Sequence, residues 1–572
     1  LLIGSDAVCG WNPAGPVRAG RRPSKIRIQE LPMKDIGEFD YVIVGGGAAG
    51  CVLANRLSAD ADVSVLLLEA GNDEKWIWTK IPVGYLYCIN NPRTDWCYKT
   101  EPEPGLNGRS IIYARGKGLG GSTLINAMLY LRGQARDYNE WAELTGDAGW
   151  SWDAVLPHFK GVEDNWRGGS EHHGSGGEWR VEQQRLRWDI LDRFAEATAE
   201  AGIPMTEDFN RGNNLGVSQF EVNQKRGTRW SAVRGFLDPV RHRPNLTIVT
   251  GALSDRLLMD GRRVKGIIFR RDGEECVARA RIETVLAAGS LGSPAILQRS
   301  GIGDGATLQE LGIPLAHELK GVGNNLQDHL QLRSIFKVSG IKTLNQQANS
   351  LWGKAMMGLE YAFFRRGPLT MAPSQLGLFA CSDSSVENPD LEYHVQPLSL
   401  DKFGDPVHKF PAFTASVCDL RPKSRGHVTI RDRDPASAPR IAPMYLTDPE
   451  DRAKAARAIR LTRKIAAQPA LAPFKPVEHL PGPGFETDED LAVAAGNIGT
   501  TIFHPVGTCK MGREDDPSAV TDARLQVLGL GGLRVVDASI MPTITSGNTS
   551  SPTIMIAARG AQMIREDRLR SA

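Results

Sequence analysis

Residues 41–50, Tyr-Val-Ile-Val-Gly-Gly-Gly-Ala-Ala-Gly, leave this chain few folds to choose from. An apolar run ends in Gly45-x-Gly47-x-x-Gly50. A helix-compatible segment, Cys51 to Leu57, follows, and a second apolar run, Val63 to Leu68, ends in Glu69. Strand, tight turn, helix and parallel strand with an acidic tip are the parts of a dinucleotide-binding unit. There the glycines let the backbone approach a pyrophosphate, which sits at the positive end of the helix. Glu69, 24 residues after Gly45, is placed to accept hydrogen bonds from an adenosine ribose. A glycine triplet of this form is often only a turn; the flanking strands and the acid make it a binding motif.

A chain of 572 residues is too long for one core, so two or more domains are expected. The balance of 68 basic against 66 acidic residues gives no electrostatic case for nucleic acid. No apolar run is long enough to span a bilayer. The expected location is the cytoplasm, or the inner-membrane surface as a peripheral protein. Eight cysteines form no CxxC pair, and His172-His173 lack a metal-ligand context, so neither disulfides nor a metal site is expected. Residues 1–32 carry Gly, Pro and Arg without periodicity. They are expected to be an extension to a protein that starts at Met33, with a basic transit peptide as the weaker alternative.

Further along, residues 160–180 look like a surface excursion rich in Gly, His and charge, and residues 188–202 and 450–468 carry helical patterns. Strands are expected at Leu246 to Val249, Gly266 to Phe269, Thr284 to Ala288 and Leu533 to Asp537, with a hairpin at Asp272-Gly273. No nucleophile elbow and no P-loop lysine is present. The strongest reactive candidate is His504, which Pro505 restrains to an extended or turn backbone. Near the C-terminus, Asn548 precedes a helix-like run in which Pro552 suits the first turn, so the positive end of that helix is placed to stabilise an anion.

Two long motifs carry a resemblance. One is Gly116-Lys117-Gly118-Leu119-Gly120-Gly121-Ser122-Thr123-Leu124-Ile125-Asn126; the other runs from Gly289-Ser290-Leu291-Gly292-Ser293-Pro294 to Ser300-Gly301-Ile302-Gly303. With Asn324-Asn325-Leu326-Gln327-Asp328-His329 and Arg534-Val535-Val536-Asp537-Ala538-Ser539, they make the chain after Met33 resemble the GMC (glucose–methanol–choline) oxidoreductase family. The nearest likeness is to its bacterial alcohol dehydrogenases and choline dehydrogenases.

The resemblance implies an α/β plus α+β architecture: a Rossmann-like FAD-binding domain with an inserted substrate domain on an antiparallel sheet. The expected divisions are 36–155, 228–325 and 497–567 for the first and 156–227 with 326–496 for the second. It implies FAD held by Gly45, Gly47, Ala48, Ala49, Gly50, Glu69, Ala70, Arg115, Gly118, Gly121, Ser122, Asn126, Ala127, Ala288, Gly289, Asp537, Ala538, Asn548, Pro552 and Thr553. Members that tether FAD covalently use a histidine where this chain has Ile125, so noncovalent FAD is expected. His504 and Asn548 fall on the family's catalytic pair. The implied reaction oxidises a primary alcohol to an aldehyde, with proton abstraction by His504, hydride transfer to flavin N5, and a quinone, a dye-like acceptor or oxygen as electron acceptor. Ile502 and Phe503 beside His504 suggest an apolar wall and an aliphatic or aromatic alcohol. Lyases and light-driven decarboxylases of the same fold are the alternative, although Leu420, not cysteine, precedes Arg421-Pro422.

Overall fold

The computed structural model describes residues 33–401 and 405–571. The expectation for residues 1–32 therefore falls outside the described residues. The opening motif folds as β1 (Lys34–Val44), α1 (Ala48–Leu57) and β2 (Val65–Glu69). Tyr41 to Val44 and all of β2 are buried. Strands covered on both faces need continuous apolar runs, which is how these segments read.

Around them lies a seven-stranded mixed sheet. β1 pairs in parallel with β2 on one side and with Glu274–Leu286 on the other, and β2 pairs in parallel with Leu246–Thr250. Glu274–Leu286 is long enough to serve two neighbours: its first half pairs antiparallel with Arg263–Arg271, its last residues in parallel with Leu533–Val535. The hairpin turn is at Asp272-Gly273, where both residues have positive φ. The register aligns Val44, Leu68 and Leu286, so the parallel strands end together and open a crevice beyond their carboxyl ends.

A second seven-stranded sheet runs in the order Val477–Leu480, Leu330–Lys337, Ala412–Asp419, Leu391–Gln396, Leu376–Ala380, Gly216–Gln219, with Gly499–Thr501 paired to Leu330–Lys337. All its pairings are antiparallel. The expected division at 497 thus falls just ahead of a strand belonging to this second sheet. Its side chains alternate. Leu330, Leu332, Leu391, Tyr393, Val395 and Val417 join a core that includes Ala458 and Ile459 of the helix Pro449–Ala466. Gln331, Arg333, His394 and Gln396 line a cavity on the opposite face.

Residues 160–180 are the expected surface excursion only in part: Gly169, Ser170, Glu171, Ser175 and Gly176 are exposed, but the stretch is anchored by buried ionic groups. Glu163 and His173 are buried, and Arg132 donates to Glu163 at 2.7 Å while His173 sits 2.9 Å from Asp208. Burial opposes a charge on His173, but hydrogen bonds to Asp208 and Glu163 outweigh it and raise its pKa to about 9. The glycines and charges of this stretch fold around an ion network.

Candidate active site

The crevice is built mainly from backbone. Gly45, Gly47, Ala48, Ala49, Glu69, Ala70, Arg115, Gly121, Ser122, Ala288, Gly289, Asp537, Ala538 and Thr553 line it. A Cβ on Gly50 would lie 1.8 Å from the Gly45 carbonyl oxygen, so this glycine lets α1 seat against the turn. A Cβ on Gly47 would meet nothing within 4 Å; it would project into open space at the start of α1. That helix has no side-chain cap and no acid in its first turn, which leaves its N–H groups available to an anion.

Glu69 lines the crevice and also ties it together. Its carboxylate accepts from the backbone N–H groups of Gly46 at 2.8 Å, Gly71 at 2.7 Å and Gly118 at 3.0 Å. Asp537 does the same on the opposite wall, accepting from Gly289 N–H at 2.8 Å and the Ser293 hydroxyl at 2.6 Å. Burial raises its pKa, and these donors partly counter the rise. Among the expected cofactor residues, Gly50, Gly118 and Pro552 line neither space. Gly50 shapes the turn, Gly118 donates its N–H to Glu69, and Pro552 is buried in the first turn of the C-terminal helix Ser550–Ser571.

The crevice continues into the second cavity, since Ala48, Arg115, Ser122 and Thr549 line both. There stand Asn126, Ala127, Ile502, Phe503, His504 and Asn548. His504 and Asn548, each 7% exposed, face one another with 2.9 Å between Nε2 and the amide nitrogen. On the other side His504 Nδ1 lies 3.0 Å from Nδ1 of His329, whose Nε2 is 3.2 Å from the Leu420 carbonyl.

That chain of contacts fixes the protons. A carbonyl only accepts, so His329 carries its proton on Nε2 and leaves Nδ1 bare. His504 must then donate from Nδ1, and its Nε2 is a lone pair turned toward the cavity. Burial, then the neighbouring His329, His394 and Arg115, hold the His504 pKa well below 6.5, so the imidazole rests neutral. His329 is likewise held down, chiefly by burial.

The loop carrying His504 is held in a strained shape. Phe503 sits at φ +68°, and its carbonyl accepts from Arg115. The Asp328 carboxylate accepts from the His504 N–H at 2.7 Å, from the Thr501 hydroxyl at 2.6 Å and from the Tyr445 hydroxyl. Such strain persists only where surrounding contacts over-determine it. Asp328 and His329 had no assigned role in the sequence reading, although their motif was noticed. The fold also brings His329, Glu392 and Cys418 within 4.8 Å of one another, a grouping no sequence spacing announced. Both ring nitrogens of His329 are already engaged, so the trio reads as a hydrogen-bonded cluster.

Three side-chain oxygens at the head of the C-terminal helix, Asn548 Oδ1, Ser550 Oγ and Ser551 Oγ, are buried without a hydrogen-bond partner. With the open space at Gly47 and the uncapped start of α1, these fit a bound dinucleotide whose reactive end reaches the imidazole–carboxamide pair. A dinucleotide crevice opening onto such a pair defines an oxidoreductase.

The GMC oxidoreductase family model matches residues 39–331 and 422–557, and the chain belongs to that family. It is 40% identical over 537 residues to an oxygen-dependent choline dehydrogenase of Stenotrophomonas maltophilia (strain K279a), covering 93% of this chain and 96% of that protein. It is 39% identical over 530 residues to an alcohol dehydrogenase [acceptor] of Pseudomonas putida, covering 92% and 95%. A solved formate oxidase variant of Aspergillus oryzae RIB40, studied for its FAD modification, superposes with TM-score 0.87 at 25% identity, covering 94% of this chain and all of that one. The cofactor is FAD, and the donors are of the alcohol type. No helix among the described residues is long and apolar enough to cross a membrane.

Proposed function

We propose that the protein oxidises a primary alcohol to an aldehyde, with His504 and Asn548 acting on the hydroxyl group. The observation that carries this reading is the unprotonated Nε2 of His504, which accepts from the Asn548 amide at 2.9 Å in the cavity that continues the cofactor crevice. The hydroxyl enters beside Nε2 and its proton passes to that nitrogen as the O–H bond breaks. The Asn548 amide donates to the same oxygen and holds it through the change in charge. His329 keeps the ring in the tautomer that can accept, and the Asp328 network keeps the loop in place. Bound FAD supplies the acceptor for the hydride leaving the alcohol carbon. Gly47 and the α1 N-terminus would receive its pyrophosphate, and Glu69 its adenosine ribose. Ile125, which lines the cavity, offers no ring nitrogen for a covalent tether.

Ile502, Phe503, Met128 and Leu129 give the cavity apolar walls, which suit an aliphatic or aromatic alcohol. The electron acceptor is a quinone, a dye-like acceptor or oxygen. The test is anaerobic: alcohol added to the holoenzyme should bleach oxidised-flavin absorbance, and admitting air then separates an oxidase from a dehydrogenase. Aldehyde released from a cyanohydrin, or hydrocarbon formed under blue light, without alcohol-dependent bleaching would point instead to a lyase or decarboxylase.

A further inference from the structure

The described chain buries four arginines beyond nine-tenths: Arg132, Arg229, Arg333 and Arg534. Two of them have counter-charges. Arg132 pairs with Glu163, and Arg534 with Glu283 and Asp567. Arg229 has no ion pair among the described residues and its Nε lacks a hydrogen-bond partner, but both terminal nitrogens donate to carbonyls, those of Thr123, Asn126 and Pro82. Arg333 differs: 8% exposed, it makes no ion pair among the described residues, and its Nε and Nη2 have no hydrogen-bond partner. A guanidinium withdrawn from water without a counter-charge is costly. Burial lowers its pKa to about 10, as it does that of Arg229.

Arg333 lines the same cavity as His504 and Asn548, and no Asp or Glu does so among the described residues. Its two orphan donors share one edge of the guanidinium, the edge whose spacing matches both oxygens of a carboxylate. This protein uses that edge elsewhere. Arg93 Nε and Nη2 hold Glu74 at 2.7 and 2.8 Å, and Arg463 holds Glu478 at 2.8 and 3.0 Å.

We infer that the substrate is an alcohol bearing a carboxylate, which Arg333 holds through Nε and Nη2 while the hydroxymethyl end meets His504. This rests on the alcohol-oxidising reading above and names its substrate class. Arg333 lies four residues beyond His329 along extended chain, a span of roughly 13 Å before the side chains reach inward. A compact spacer, such as one aromatic ring or a short alkyl chain, fits between. Choline fits poorly: its ammonium would share a carboxylate-free cavity with Arg333 and Arg115.

The test compares 4-(hydroxymethyl)benzoate, 4-methylbenzyl alcohol and choline as anaerobic reductants of the holoenzyme's flavin, in the parent and in Arg333→Met. The carboxylated alcohol should work at the lowest concentration. Arg333→Met should raise its KM about ten- to hundredfold, the usual worth of hydrogen bonds to a charged group, with kcat little changed. The KM of the neutral alcohol should stay level, and Arg333→Lys should restore part of the preference. Benzoate, which cannot be oxidised, should perturb the flavin spectrum of the parent and not of Arg333→Met. Equal use of charged and neutral alcohols, equal loss of both in Arg333→Met, or a preference for choline would overturn the inference. If no alcohol of any charge bleaches the flavin, the functional reading fails, and benzoate binding still decides the role of Arg333.

Discussion

The glycine-lined crevice and the cavity around His504 adjoin but are made of different material. One is shaped by backbone: Gly47 gives open space, Gly50 a close contact, α1 its free N–H groups, and the charged side chains Glu69 and Asp537 also brace the walls. The other is shaped by side chains on a sheet and a strained loop, with His504, Asn548, Arg333 and Gln331 presented inward. Backbone recognition accepts a ligand common to a whole family, whereas side-chain recognition can be changed one residue at a time. The difference teaches where specificity resides in this protein.

The largest effect should separate the two regions outright. His504→Ala should leave FAD bound while flavin reduction by alcohol slows by about two to four powers of ten. Loss of flavin from that variant would break the division. Gly47→Ala probes the other side. The backbone there, at φ −73°, accepts alanine, so apoprotein melting should hold steady while FAD affinity falls. Overpacking costs about 1–3 kcal/mol, or about one to two powers of ten in Kd. A variant that binds FAD like the parent would show that ligand backbone does not approach this residue.

A smaller change tests the brace behind the loop. Asp328→Asn keeps one acceptor oxygen for the His504 N–H but weakens the grip on Thr501 and Tyr445. Reduction should slow by about tenfold at unchanged FAD content, as for losing one or two charge-assisted hydrogen bonds. Equal rates would remove Asp328 from a positioning role. The mildest prediction is a missing feature in a pH profile. The His504 pKa is depressed, so Nε2 stays unprotonated as pH falls through 6.5, and protonation removes the base only in stronger acid. The reduction rate should therefore be level across pH 6.5; a break centred there would mean the imidazole is better solvated than its burial implies.

What could be read in advance follows the same division. Gly45, Gly47, Gly50 and Glu69 are legible because a strand–turn–helix places its residues by local spacing. His504 stood out through Pro505 and through resemblance. Its supports did not, because they come from far away: Thr501, Tyr445 and Leu420 lie 173, 117 and 91 residues from the Asp328 or His329 groups they meet. Gln331 and Arg333 did leave a local trace. Leu330-Gln331-Leu332-Arg333 alternates as a strand should, and polar residues on alternate positions read as a solvent face. Here that face is turned to an internal cavity, and a single sequence does not distinguish the two. The stretch at 160–180 was half legible for a related reason: its exposed tip reads as surface, but Glu163 and His173 find Arg132 and Asp208 across the fold.

The long strand Glu274–Leu286 is flanked by β1, made near the beginning, and by Leu533–Val535, made near the end. The crevice they frame is lined by Gly45 and by Thr553. At ribosomal speeds, roughly 25–100 s separate the emergence of those two residues. Until then the sheet lacks the strand that pairs with Thr284 to Leu286, and the crevice lacks one wall. A crevice completed only then is expected to take its cofactor after translation, and yields in overexpression should respond to riboflavin supply and to chaperones acting late on the nascent polypeptide.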